Sequence, residues 1–166
     1  MTSKLRPPPV SLLEPYRGAA FEPLYTTTVR VAGGEAEHAR ASGFARSGDG
    51  ALDLELRLPV ELGGPGGATN PEQLFAAAYG ACFHGALNLL ALRHAIAVQD
   101  SSVEVTVAFG RDPVDGRHGL TVDVVIRMPG VERSLARRLV RETERLCPYS
   151  KMVRQGIAGS TVRLET

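Results

Sequence analysis

The segment Leu74–Leu92, 19 residues long and apolar almost all round, constrains the fold more than any other part of the chain. Asn70-Pro71 precedes it, with Asn placed as an N-cap, Pro at the first helical position and Gln73 at the capping-box position. The pattern predicts a helix from this cap to Leu92. Its length just reaches the roughly 20 residues that a bilayer requires, so a membrane span has to be weighed. Yet the segment contains His84 and Asn88, is rich in Ala and Gly, and stands alone among amphipathic neighbours. Those features favour a central helix buried on every side of a folded domain.

Strands surround this helix in the sequence. Tyr25–Val31 is strand-like, and a Gly/Ala/Ser-rich connector follows from Ala32 to Gly50. Leu52, Leu54, Leu56, Leu58 and Val60 then alternate with Asp53, Glu55 and Arg57, the period of a half-buried antiparallel strand. Leu62–Ala68 is a glycine-rich loop. Val103–Phe109 and Leu120–Met128 alternate again across a polar turn and predict a hairpin. Beyond Pro129-Gly130, Val131, Leu135, Leu139 and Leu146 form the apolar stripe of a second helix. Its arginines are expected to pair with Glu142 and Glu144 on a solvated face. Pro148 should end that helix at Cys147, and Ser160–Glu165 reads as a last strand. The class is α+β, with antiparallel sheet packed around a buried central helix.

A chain of 166 residues suits a proline-rich N-terminal extension, 1–23, followed by a single domain, 24–166. The prolines of the extension predict a solvated or loosely docked arm. Net charge is +1 and arginines are scattered, which argues against nucleic acid or an anionic membrane as partner. No apolar targeting stretch opens the sequence, so a cytoplasmic location is the expectation.

Chemistry has to be sought in Cys82 and Cys147, the two cysteines of the chain. They cannot complete a four-ligand zinc site, and His38, His84, His94 and His118 show no ligand spacing near them, so no zinc site is expected. Cys82 lies in mid-helix, where apolar surroundings raise a thiol's pKa. It is an inert core residue unless a cation, such as an arginine, is brought to it. Cys147 lies at a helix C-terminus, where the partial negative charge disfavours a thiolate. These placements suggest that Cys82 attacks and Cys147 resolves, without deciding it.

Two longer motifs sharpen the reading. Leu62-Gly-Gly-Pro-Gly-Gly-Ala-Thr-Asn-Pro-Glu-Gln-Leu-Phe-Ala-Ala-Ala-Tyr-Gly-Ala-Cys-Phe-His-Gly-Ala-Leu87 resembles the first signature of the OsmC/Ohr family. Cys147-Pro-Tyr-Ser-Lys-Met-Val-Arg154 resembles the second. The resemblance runs from about Leu24 to the C-terminus and points to the organic hydroperoxide resistance branch. It implies an OsmC-like fold in an intertwined homodimer, with active sites at the subunit interface. It implies an organic hydroperoxide as substrate, reduced through a Cys82 sulfenic acid and a Cys82–Cys147 disulfide. A dithiol reductant, in this branch a lipoylated protein, restores the thiols without metal, haem or flavin.

The same resemblance places a glutamate and an arginine beside the reactive cysteine. Glu72 matches the glutamate. In an unbroken helix it stands about 15 Å from Cys82, so its expected role is to fix an arginine reaching over from elsewhere. A purely local role at the positive helix N-terminus is the alternative. The family's arginine follows a Gly-Gly, but Gly33-Gly34 is followed here by a longer connector; Arg40 is the first candidate and Arg46 the second. His84, about 200° around the helix from Cys82, is expected to be a satisfied core histidine. Tyr79, Phe75, Phe83, Tyr149 and Met152 either line an apolar channel or belong to the core. Arg154 is expected to be structural or rim-forming. A redox sensor and a non-catalytic small-molecule carrier are the competing readings.

Overall fold

The computed structural model describes residues 12–35 and 41–165. They form strands β1 (Val29–Ala32), β2 (Ser42–Ser47) and β3 (Asp53–Arg57), the long helix α1 (Pro71–Arg93), strands β4 (Ser102–Arg111) and β5 (His118–Arg127), and helices α2 (Arg133–Leu146) and α3 (Pro148–Gln155). Two antiparallel sheets are present, β1-β2-β3 and the β4-β5 hairpin. The chain divides into two compact units. One contains residues 12–15, 78–106 and 122–165; the other contains residues 16–35, 41–77 and 107–121.

In the second unit, β1, β2 and β3 form a meander with Val31 opposite Ala45 and Ala45 opposite Leu54. The strand β2 falls inside the expected connector. Its pattern is inverted: Gly43 and Ala45 are buried while Phe44 and Arg46 are exposed, so apolar alternation could not reveal it. Gly43 lies at φ 94°, and a Cβ there would stand 2.5 Å from the Ala32 carbonyl oxygen. Only glycine allows the two strands this approach. The strand expected over Leu52–Val60 is shorter than its alternation suggested. Leu56 is buried, Leu54 is exposed, and Val60 belongs to a single 3-10 turn, Val60–Leu62, closed by Gly63 in the left-handed region. The expected strand over Tyr25–Val31 is likewise reduced to Val29–Ala32, exposed throughout.

The entry to α1 forms as its sequence dictates, with one difference. Asn70 Oδ1 accepts the Gln73 amide at 2.9 Å, the N-cap bond. The Gln73 side chain turns to the Thr69 hydroxyl, 3.1 Å away, instead of completing a capping box. Phe83, Leu87, Leu90 and Ala91 are buried. Gly80 admits Val105 of β4, whose Cγ2 would stand 3.4 Å from an added Cβ. By length and composition α1 would suffice to cross a membrane. It is not buried on every side, however: Ala77, Ala81, Gly85 and Leu92 form an exposed stripe. A helix with that many small residues can be apolar all round while packing on only part of its circumference.

The core of the first unit joins Leu87 and Leu90 of α1 to Leu139 of α2, with Ile126, Met128 and Leu146 packed around them. Leu13, from the proline-rich arm, joins the same cluster. The side chain of Glu132 caps α2 by accepting the amides of Ser134 and Leu135. The expected pairing of the α2 arginines with Glu142 and Glu144 gives way to longer-range partners. Glu142 meets His94 at 3.2 Å, and Glu144 meets Arg154 at 3.8 Å. No strand forms over Ser160–Glu165, where Val162 and Leu164 are almost fully exposed. A strand needs a neighbouring edge to supply its hydrogen bonds, and periodicity alone does not provide one.

Candidate functional site

The residues that bring chemistry together lie in the helical unit. Cys82 sits halfway along α1, a little over three turns after its cap. Cys147 is the junction of two helices, closing α2 and opening α3. Sequence pattern points only to the first of these roles, because a proline after Cys147 disfavours continuing α2. Pro is equally suited to the first position of a new helix, and here it starts α3. The negative end of α2 is therefore met by the positive end of α3, which removes the basis for ranking the thiols by helix-end charge.

The two sulfurs are neighbours. The Cys147 thiol donates to Cys82 Sγ across 3.4 Å. Both cysteines are free, Cys147 fully buried and Cys82 partly exposed. Burial pushes the Cys82 thiol up to about 11, and the neighbouring Cys147 thiol adds to the rise; the backbone N–H of Tyr149 opposes it. At neutral pH a thiol with that value is almost entirely protonated, so Cys82 requires a cation to become a nucleophile.

A cavity of about 500 Å3 opens beside the pair, lined by Ala81, Cys82, Gly85, Ala86, Leu89, Leu146, Pro148 and Leu12. Gly85, Ala86 and Leu89 follow from helix geometry, since positions three, four and seven after Cys82 share its face. The aromatic residues proposed from sequence do not line it. Tyr79 and Phe83 are buried, 6.4 Å apart edge to face. Tyr79 also stacks on Tyr149 at 6.2 Å, and its hydroxyl meets the Ser150 hydroxyl at 3.1 Å. These contacts tie α1 to α3 and hold Cys147 beside Cys82. The tie was not legible from the motifs separately, because it depends on α3 existing.

The remaining candidates are placed as follows. Glu72 occupies the first turn of α1. Arg40 lies outside the described residues. Arg46 is exposed on β2, paired with Asp53 at 3.0 Å and set over the Phe44 ring at 5.0 Å. His84 is held by Asn88, whose Nδ2 donates to the His84 carbonyl at 2.9 Å and lies 3.2 Å from its Nδ1; Ser101 approaches Nε2 at 3.5 Å. It is the satisfied histidine that its position predicted. Arg154 donates to the Glu144 carbonyl at 2.8 Å, fastening α3 to the last turn of α2, a structural role. Among the described residues no cluster of His, Cys, Asp and Glu is arranged to hold a metal.

A two-sheet α+β fold with two thiols in contact beside an apolar cavity defines a class of protein, and the comparisons identify it. Residues 64–161 match the model of the OsmC-like protein family. The organic hydroperoxide resistance protein of Xanthomonas axonopodis pv. citri is 40% identical over 136 residues, covering 81% of this chain and 90% of that protein. The organic hydroperoxide resistance protein OhrB of Bacillus subtilis is 37% identical, with 81% and 93% covered. The crystal structure of an organic hydroperoxide resistance protein from Legionella pneumophila aligns with a TM-score of 0.72 at 39% identity, covering 81% of this chain and 93% of that one. The chain belongs to the OsmC/Ohr family, on its organic hydroperoxide resistance branch.

Proposed function

We propose that the chain is a cytoplasmic thiol peroxidase that reduces organic hydroperoxides to alcohols. The observation that carries the reading is the 3.4 Å contact between Cys82 and Cys147 beside an apolar cavity. Family membership and the names of the relatives support the substrate class and a role in peroxide detoxification.

In the proposed sequence the Cys82 thiolate attacks a peroxide oxygen. An S–O bond forms, the O–O bond breaks, and the alkoxide takes a proton to leave as alcohol. The Cys147 sulfur then attacks the Cys82 sulfenic acid, hydroxide leaves as water after protonation, and a disulfide remains. An external dithiol, a lipoylated protein in our reading, returns both sulfurs to thiols by exchange. Thiolate formation requires a positive charge beside Cys82. Arg40 is assigned that role and Glu72 the role of orienting it, in a homodimer with its active sites at the subunit interface.

The decisive assay follows consumption of tert-butyl or cumene hydroperoxide, against hydrogen peroxide, with lipoamide and its dehydrogenase as reductant. Wild type is expected to turn over the organic peroxides. Cys82→Ser should be inactive, and Cys147→Ser should accumulate a trappable sulfenic acid. Turnover by wild type no faster than by Cys82→Ser sinks the reading. The raised Cys82 thiol beside an apolar cavity favours a second one, a non-catalytic carrier of apolar molecules. It predicts binding of such molecules without peroxide consumption.

A further inference from the structure

The cavity beside Cys82 has one wall that does not come from the helices. Leu12 belongs to the proline-rich arm, ahead of the segment that resembles the family, yet it lines the cavity together with Cys82. It is 45% exposed, so much of its side chain faces open space. The next residue, Leu13, turns to the core and packs against Leu87, Leu90 and Leu139. A Leu-Leu pair thus divides its work, one residue anchoring the arm and the other presenting apolar surface at the cavity.

The neighbouring lining residues make that surface matter. Ala81, Gly85 and Ala86 have side chains too short to reach far from α1, which leaves the space beside the thiol wide. An added isobutyl group at this wall offers a hydrocarbon guest further area to cover, and covering apolar area is favourable in proportion to its extent. Only a guest long enough to extend from the sulfur to the arm gains it.

We propose that Leu12 is a substrate-selectivity residue, an apolar wall pinned by Leu13 that favours hydroperoxides with long hydrocarbon chains over short ones. The proposal rests on the peroxidase reading for its substrate and adds to it a determinant outside the two signature motifs.

The test compares kcat and KM of wild type, Leu12→Ala and Leu12→Asp with tert-butyl hydroperoxide and with a long-chain fatty-acid hydroperoxide. Leu12→Ala is expected to raise KM for the long substrate about fivefold, the effect of losing a few methylene contacts, with kcat and the short substrate unchanged. Leu12→Asp should act in the same direction and more strongly. Equal losses for both substrates, or none for either, overturn the proposal.

A second measurement separates this assignment from the peroxidase reading. In a Cys147→Ser background, the rate of Cys82 alkylation is compared for N-ethylmaleimide and N-octylmaleimide, with and without Leu12→Ala. An octyl preference that shrinks in Leu12→Ala supports the wall even in a protein that consumes no peroxide. A preference indifferent to Leu12 removes it, whatever the enzyme assay shows.

Discussion

The helical region around the thiols and the sheet β1-β2-β3 are built on opposite plans. In the helical region Phe83, Leu87, Leu139, Thr143 and Cys147 are almost completely buried, and even the Thr143 hydroxyl is satisfied internally by the Leu139 carbonyl at 2.8 Å. In the sheet the large apolar residues Val29, Val31, Phe44 and Leu54 lie exposed, while the buried positions belong mainly to Ala45, Gly43 and Leu56. Its charges are matched locally at the surface, Arg46 with Asp53 and Arg57 with Glu55. One region holds two sulfurs at a fixed separation by dense packing. The other leaves large apolar side chains on both faces of its sheet uncovered within the single chain. A mutation therefore acts in the first through stability and in the second through whatever comes to cover it.

Paired substitutions break or sharpen that contrast. Phe83→Ala is expected to cost about 3–5 kcal/mol of unfolding free energy, the range for a buried aromatic. Phe44→Ala, in the sheet, should cost less than about 1 kcal/mol for the isolated chain. Urea denaturation of the two variants checks the comparison, and equal losses would erase it. Next in size is the ionisation of Cys82. With Arg40 positioned as proposed, its alkylation rate levels off well below pH 11; in Arg40→Ala the rise should continue toward about 11, the value that burial sets. The sign follows from the raised pKa: thiolate, and hence rate, appears only as pH climbs toward it. A profile unchanged by Arg40→Ala removes that arginine from the site.

Smaller effects belong to the surface. Asn70→Ala removes the α1 cap and should cost about 1 kcal/mol, read from the denaturation midpoint. Arg46→Ala, which breaks an exposed ion pair, should shift stability by less than about 0.5 kcal/mol and leave peroxide turnover intact. A large loss of turnover would exchange the roles of Arg46 and Arg40.

What the sequence revealed depended on how local each determinant is. The α1 cap, the β4-β5 hairpin and the satisfied His84 were legible because their partners lie within a few residues or on one helix face. The pairing of Cys82 with Cys147 came through two long motifs, since no periodicity relates positions 65 apart. β2 stayed hidden because its small residues point inward and its phenylalanine outward. α3 was masked by a proline that stops one helix and starts the next. The aromatics near Cys82 were equally compatible with channel and core, and only the folded packing, Tyr79 on Tyr149 of α3 and Phe83 edge-on to Tyr79, assigned these two to the core. Leu12 gave no signal at all, since a leucine in a proline-rich arm has no pattern to break.

The junction at Cys147 carries a consequence for the chain as a polymer. Joining its sulfur to Cys82 would close a covalent ring through β4, β5 and α2. A ring of that size removes loop entropy from the unfolded ensemble worth about 4 kcal/mol. In the peroxidase reading, each turnover would therefore alternate the molecule between a linear chain and a looped one that unfolds at higher denaturant. The reductant would return it to the more easily unfolded topology every time it restored the thiols.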